Sequence, residues 1–352
     1  MTDKTMPAKD LLNRLQLKYP LIVAPMAGGP SSPELVAVAS RTGALGSMGA
    51  AYSAPPAIAE FVQKVRSQTD RPFAINLFVP HPQPDVSDTQ LANAIQATAA
   101  YRNELGLPAP RLAPPYEENF DAQFEAMLRA RPAVFSFVFG LLSAHYLQAA
   151  QKENIIVIGT ATSRDEAIAL QESGVDAIAL QGIEAGGHRG MFDAAAPDPE
   201  IKAFDLLQAC RPAISVPLIV AGGIMNAGHV QSALRHGAQA VQMGTAFLAC
   251  QEAGTSAPYK AALLKNAART TQTTRVFSGR LARGIPNRFL REMESQPDAI
   301  LPFPAQNKFT RDLRTASAAK GLPDFLSLWS GTGAGELWQG SAGKLIETLF
   351  IN

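Results

Sequence analysis

The sequence predicts an α/β fold: a TIM (β/α)8 barrel with a helical C-terminal cap and a long excursion between its third and fourth strands. Three observations carry the prediction. Short apolar runs recur eight times with helical signals between them, the alternation of a parallel sheet wound with helices. Those units fit the roughly 250 residues such a barrel usually takes. Residues with chemical character gather at the C-terminal ends of the runs, the face on which barrel sites open. An open doubly wound sheet alternates in the same way and is the competing reading; the number of units favours the barrel.

The runs are Leu21–Ala24, Ala44–Met48, Phe73–Val79, Ala133–Phe139, Ile155–Gly159, Ala177–Leu180, Pro217–Val220 and Ala240–Met243. Several are unalternated, as expected of strands buried on both faces. After the first run, Ser32-Pro33-Glu34 offers an N-cap and an N1 proline, and Gly43 stops the helix. Ser163 and Glu166 read as a capping box before Ala167-Ile168-Ala169-Leu170, with Gly174 at the end. Asn226 caps a helix through Val230, Ala233 and Leu234 that Gly237 closes. From Ile155 to Ala177, and from Pro217 to Ala240, the step is one strand plus one helix.

Two stretches break this rhythm. Residues 80–132 are rich in Pro and Ala, with a helix expected at Asp121–Ala130, and form the excursion near the site rim. Residues 251–352 form the cap, with a helix at Ala257–Ala268 and an Arg-rich loop, Ser278-Gly279-Arg280-Leu281-Ala282-Arg283-Gly284. The expected division is a barrel over 1–250 and a cap over 251–352 that completes the barrel and the substrate pocket.

Composition excludes several classes of function. The 352 residues are 47% hydrophobic and 17% charged with a net charge of +1, which gives no basis for nucleic-acid or membrane-surface binding. The two cysteines, Cys210 and Cys250, lie in apolar surroundings and read as small hydrophobes. No Cys/His spacing suggests a metal site. Met1-Thr2-Asp3-Lys4 lacks the apolar core of a signal peptide, and no run approaches the roughly 20 residues of a membrane span. The expectation is a cytoplasmic enzyme, monomer or homodimer, without metal.

The most informative stretch is Gln181-Gly182-Ile183-Glu184-Ala185-Gly186-Gly187-His188-Arg189-Gly190. Adjacent glycines let backbone approach a ligand closely, and an imidazole titrating near neutrality follows at once. Ala221-Gly222-Gly223-Ile224 and Gln242-Met243-Gly244-Thr245 end the seventh and eighth runs, where barrels often bind phosphate through backbone N–H groups. Taken singly, each glycine pair is equally a tight strand-to-helix turn. Asn76 and Gln181 close the third and sixth runs with amides, each a donor and an acceptor, suited to the uracil-like edge of a flavin; each could equally cap a strand end. No Walker loop, Rossmann glycine motif or nucleophile elbow is present. His81 reads as a loop residue, and His145, His229 and His236 read as helix surface.

Together these residues resemble the nitronate monooxygenases, in particular their bacterial class I branch. The likeness rests on Pro25-Met26-Ala27-Gly28-Gly29, Phe135-Ser136-Phe137-Val138-Phe139-Gly140, Gln181 to Gly190, Gly222-Gly223, Gln242 to Leu248, and Phe277-Ser278-Gly279-Arg280 to Met293. It runs from about Pro20 into the cap. The resemblance implies noncovalent FMN in a TIM barrel, with Met26, Asn76, Gln181, Gly186, Gly187, Gly223, Gln242, Met243, Gly244 and Thr245 at cofactor-binding positions. It makes His188 the catalytic histidine and places Tyr259 near the substrate pocket. Val138 stands where some class I members carry a second active-site histidine, so nitronates are expected to be preferred over neutral nitroalkanes.

The implied reaction is oxidation of an alkyl nitronate, such as propionate 3-nitronate, by O2 to a carbonyl compound and nitrite, through one-electron flavin chemistry. The flavin does the redox work while the protein binds, orients and tunes it. His188 either donates to the nitronate oxygens or acts as base toward a neutral nitroalkane. Two alternatives stay open: an NADH-dependent flavin reductase of enoyl-acyl-carrier-protein or quinone type, and a flavin carrier without turnover.

Overall fold

Alternation along each strand decides which side chains fill the barrel and which meet the helices. The computed structural model describes residues 10–266, 268, 270–333 and 335–351; the first four residues, read for a signal peptide, lie outside them. In chain order the strands are β1 (Leu21–Val23), β2 (Gly46–Gly49), β3 (Phe73–Phe78), β4 (Val134–Val138), β5 (Ile156–Ala161), β6 (Ala177–Gln181), β7 (Gly187–His188), β8 (Leu218–Ala221) and β9 (Ala240–Met243). All but β7 form one parallel eight-stranded sheet, ordered β1-β9-β8-β6-β5-β4-β3-β2. A parallel bridge between Ile22 and Leu45 brings its two ends together into a nearly closed TIM barrel. Each expected run is a strand, within a few residues at its ends.

Outward positions such as Leu21, Val23, Phe73, Ile75, Phe135, Phe137, Ile178 and Leu180 pack in one core beneath the helices. Inward positions such as Ile22, Ala74, Val134, Ile158, Ala179, Ile219 and Ala240 form a second core inside the barrel. The short helix Leu11–Leu15 adds Leu11 and Leu15 to this inner core. One further step of two residues toward the C-terminal end, the inward positions turn polar. Ala74 is followed by Asn76, Val134 by Ser136, Ile158 by Thr160, Ala179 by Gln181 and Ala240 by Gln242. The barrel is therefore plugged with hydrocarbon below and floored with hydrogen-bonding groups above.

The helix caps follow the sequence closely, with one difference. Ser32 accepts from Leu35 N at 2.9 Å and Asn226 from His229 N at 2.9 Å. Ser163 accepts from Glu166 N at 3.2 Å, but Glu166 does not return the bond. Its carboxylate binds Thr162 N and Oγ1 and, at 2.7 Å, Phe192 N, tying β5 to the segment after His188. A capping box with both bonds formed occurs instead at Ser87 and Gln90.

That box starts the helix Asp88–Leu105, which the sequence reading missed inside the excursion; the expected second helix is Phe120–Ala130. Tyr101 and Leu105 pack with Phe277, Phe289 and Phe325, and Ala94 and Tyr116 with Leu301 and Phe309. Excursion and C-terminal segment thus share apolar cores. The helix expected to Ala268 is Ala257–Lys265; residue 267 of that span lies outside the described residues. The last helix, Ala342–Leu349, returns to the barrel, where Ala342, Leu345, Ile346 and Leu349 join the outer core. No described helix is long and apolar enough to cross a membrane.

Candidate active site

A cavity of about 630 Å³ opens over the polar floor. Every cofactor-binding, catalytic and substrate-pocket candidate from the sequence lines it. Asn76, Gln181 and Gln242 come from the floor, and Met26 and Val138 from the ends of β1 and β4. Gly186, Gly187 and His188 follow β6; Gly223 follows β8; Met243, Gly244 and Thr245 follow β9; Tyr259 comes from the C-terminal segment. His81, His145, His229 and His236 do not line it. Among the described residues no cluster of His, Cys, Asp and Glu has metal-binding geometry.

The stretch before His188 is less of a free loop than the sequence suggests. β7 pairs antiparallel with β11 (Ala282–Gly284), with His188 opposite Ala282, and β11 pairs with β10 (Gln272–Thr274). Backbone hydrogen bonds to the C-terminal segment therefore hold the imidazole in place. Aromatic rings surround it: Trp329, Phe139, Phe303 and Phe78, with centroids 5.6, 5.9, 6.0 and 6.1 Å away. Phe139 has φ 83 with a bulky side chain, a strained conformation of the kind held at functional sites.

The hydrogen bonds of His188 select its tautomer. Nε2 lies 2.8 Å from Ser278 Oγ, which donates its one proton to the Arg280 carbonyl at 3.0 Å. No other described group serves that carbonyl. Ser278 therefore accepts from Nε2–H, and Nδ1 keeps its lone pair. Burial, then the charges of Arg280 and Arg314, push the imidazole down from 6.5 to about 3, so it is neutral at working pH.

Gln181 is oriented as tightly. Its Oε1 accepts from Arg189 Nη1 at 2.9 Å and from Gly190 N at 2.8 Å, and its Nε2 donates to the His188 carbonyl at 3.0 Å. Its acceptor is consumed, so toward the cavity Gln181 offers an N–H and not both functions. Arg189, 1% exposed, is anchored by Asp198 through contacts of 2.6 and 3.1 Å. Asn76 is the complement: Nδ2 donates to Ser136 Oγ at 3.0 Å, and Oδ1 has no partner among the described residues.

At the other end stand backbone donors. Gly222 and Gly223 have φ of 116 and 70, which favours glycine. The N–H groups of Gly223 and Gly244 have no described partner. Thr245 Oγ1 accepts from Gly331 N at 3.0 Å, leaving its own proton to donate. Free donors at the ends of β8 and β9 match a phosphate. An acceptor on Asn76 and a donor on Gln181 match the N–H and carbonyls of a flavin edge, so the residues present fit FMN.

Two assignments are modified. Tyr259 lines the cavity, but its hydroxyl donates to the Trp329 carbonyl and burial pushes its pKa up, so it does not act as a free proton donor. Val138 contributes a methyl wall. Sequence reasoning missed Ser278 as the partner of His188, and missed Tyr52, Arg311 and Arg314, which also line the cavity.

A polar-floored barrel with a neutral imidazole above it has the build of a TIM-barrel enzyme. The nitronate monooxygenase family model matches residues 9–352, so the chain belongs to that family. A probable nitronate monooxygenase of Staphylococcus aureus (strain MSSA476) is 38% identical over 322 residues, covering 91% of this chain and 90% of the relative. The solved nitroalkane oxidase from Streptomyces ansochromogenes superposes with a TM-score of 0.89 at 33% identity, covering 97% of this chain and 96% of that one. FabK from Thermotoga maritima, at TM-score 0.73 and 24% identity over 98% of this chain and 95% of that one, shares the fold.

Proposed function

We propose that the cavity binds FMN and that the enzyme oxidises alkyl nitronates, such as propionate 3-nitronate, with O2 to a carbonyl compound and nitrite. The observation that carries the reading is the pairing on one floor of a free acceptor, Asn76 Oδ1, with the second, unused N–H of Gln181 Nε2, near the unpaired Nδ1 of His188. Met26, Gly186, Gly187, Gln242 and Met243 shape the cofactor cleft, while Gly223, Gly244 and Thr245 hold the phosphate. When bound, FMN supplies the acceptor for electrons from the electron-rich nitronate carbon and passes them to O2.

His188 in this tautomer is an acceptor. Toward a neutral nitroalkane, Nδ1 is the atom placed to accept the proton from the carbon bearing the nitro group, but an imidazole held near 3 is a weak base, which again favours a preformed nitronate. A preformed nitronate has already lost that proton. The charges of Arg280 and Arg314 that keep His188 neutral also favour an anion over a neutral substrate. Phe78, Phe139, Phe303 and Trp329 crowd the imidazole and leave it only partly exposed, toward the cavity.

The test is purified protein mixed with propionate 3-nitronate in air, with nitrite measured and the flavin released by denaturation and identified. Nitrite formation with FMN as the released flavin is expected. No nitrite, together with anaerobic bleaching of the flavin by NADH, would move the assignment to a nicotinamide-dependent reductase.

A further inference from the structure

Three groups in the cavity have hydrogen-bonding capacity that the reading above leaves unused. Arg314, on the helix Arg311–Ala319, donates from Nε to the Thr310 carbonyl at 3.3 Å and from Nη2 to Asn307 O and Oδ1 at 2.6 and 2.9 Å. Its Nη1 has no partner among the described residues. The nearby acid does not serve it: Asp312 is held by Arg102 at 2.7 and 3.1 Å. Arg311 forms no described ion pair, and its guanidinium stands 6.0 Å from the Tyr52 ring. The Tyr52 hydroxyl also has no described hydrogen-bond partner. The acid that does line the cavity, Glu184, accepts from Ala203 N at 3.0 Å, beyond the end of β6.

Two guanidinium groups and a phenol thus share one wall without an acceptor for their spare protons. A half-buried guanidinium such as that of Arg314, with a spare N–H and a second cation beside it, is costly unless an anion joins them. We propose that Tyr52, Arg311 and Arg314 form a subsite for a second anionic group on the substrate, a carboxylate at the far end of a short nitronate. The inference rests on the nitronate reading above. A carboxylate suits the planar fork of a guanidinium. Phe78 lies between the two ends: its ring is edge-on to Tyr52 at 5.6 Å and to His188 at 6.1 Å. A few methylene groups crossing that ring would place the nitronate carbon near His188 and the carboxylate at the arginines.

Propionate 3-nitronate and propyl-1-nitronate have chains of equal length and differ in the terminal group. The experiment compares kcat/KM for nitrite release from the two by the holoenzyme and by Arg311→Met, Arg311→Lys and Arg314→Met, with FMN content measured for each. The wild type is expected to prefer the carboxylated substrate. In Arg314→Met that preference should fall by roughly 10- to 100-fold, the range of a charge-assisted hydrogen bond. It should fall less in Arg311→Met, whose side chain is exposed and screened, and Arg311→Lys should keep most of it. A preference unchanged in both methionine variants overturns the subsite. So does loss of FMN from Arg314→Met with an unchanged preference in Arg311→Met, since the arginines would then serve the cofactor. If neither substrate yields nitrite, the nitronate reading has failed, and melting temperature decides the subsite separately. Greater stabilisation by 3-nitropropionate than by 1-nitropropane, lost in Arg311→Met, supports it; equal stabilisation overturns it.

Discussion

The 2.8 Å contact between Ser278 and His188 joins residues 90 positions apart, so a serine of the C-terminal segment determines which nitrogen of the barrel's histidine carries the proton. Ser278→Ala removes that control and leaves the Arg280 carbonyl without its donor. Turnover of a neutral nitroalkane should fall by about 3- to 10-fold, one ordinary hydrogen bond. Turnover of preformed nitronates should fall less. Imidazole nitrogen NMR checks the cause: the wild type should show Nε2–H alone and the variant a mixture of tautomers.

His188→Asn keeps a polar side chain but removes the base. The variant should fold and retain FMN, because the residues proposed to hold the flavin are others. Steady-state rates with neutral nitroalkanes should drop by about 10²–10⁴-fold, the usual contribution of a general base. Equal rates in variant and wild type for both substrate forms would remove His188 from the mechanism.

His188 also makes stability depend on pH. Its folded value of about 3 lies below the ordinary 6.5, so between these the unfolded chain binds the extra proton. The contribution is fully present above pH 6.5 and is lost progressively as pH falls toward 3. Melting temperature should therefore drop over that window in the wild type, and the drop should be shallower in His188→Asn. The same shift means the rate with neutral nitroalkanes should show no inflection near pH 6.5.

Thr245→Ala removes both the proposed phosphate donor and the acceptor for Gly331 N. FMN affinity should weaken by about 0.5–1.5 kcal/mol or somewhat more, given the charged ligand. Gly223→Val forces a branched side chain to φ 70 and should lose most of the flavin. Fluorescence titration of the apoprotein measures both.

Asp198→Ala leaves Arg189 charged in a site where it is 1% exposed. Breaking a buried pair in this way typically costs about 3–5 kcal/mol. Thermal unfolding should show that loss. Flavin binding should weaken too, since Arg189 holds the Gln181 amide in place.

The barrel strands were legible because burial on both faces leaves unbroken apolar runs, and the sites at their ends because glycine pairs and amides interrupt those runs. The helix Asp88–Leu105 was hidden because alanines blur its apolar stripe, although Ser87 and Gln90 announce its start. β7, β10 and β11 are two or three residues long, too short for any periodicity to register, and β7 pairs with β11 across a large separation. Arg311 and Arg314 look in sequence like any solvated helix face; the tertiary fold turns them to the cavity. Glu166 shows the opposite case, a clear local motif drawn into a longer-range bond to Phe192.

The position of the helix Ala342–Leu349 bears on how the chain is made. It rests against Pro33–Thr42 and Ala227–Arg235, with Phe350 stacked on Tyr19 at 4.8 Å. During synthesis the ring of strands is complete long before this helix leaves the ribosome, and until then one flank of the barrel stays bare to solvent. The nascent protein must wait, with that apolar groove open, for residues 342–349. Removing the helix Ala342–Leu349 therefore trims no ornament; it leaves permanently exposed a surface that chaperones and proteases recognise.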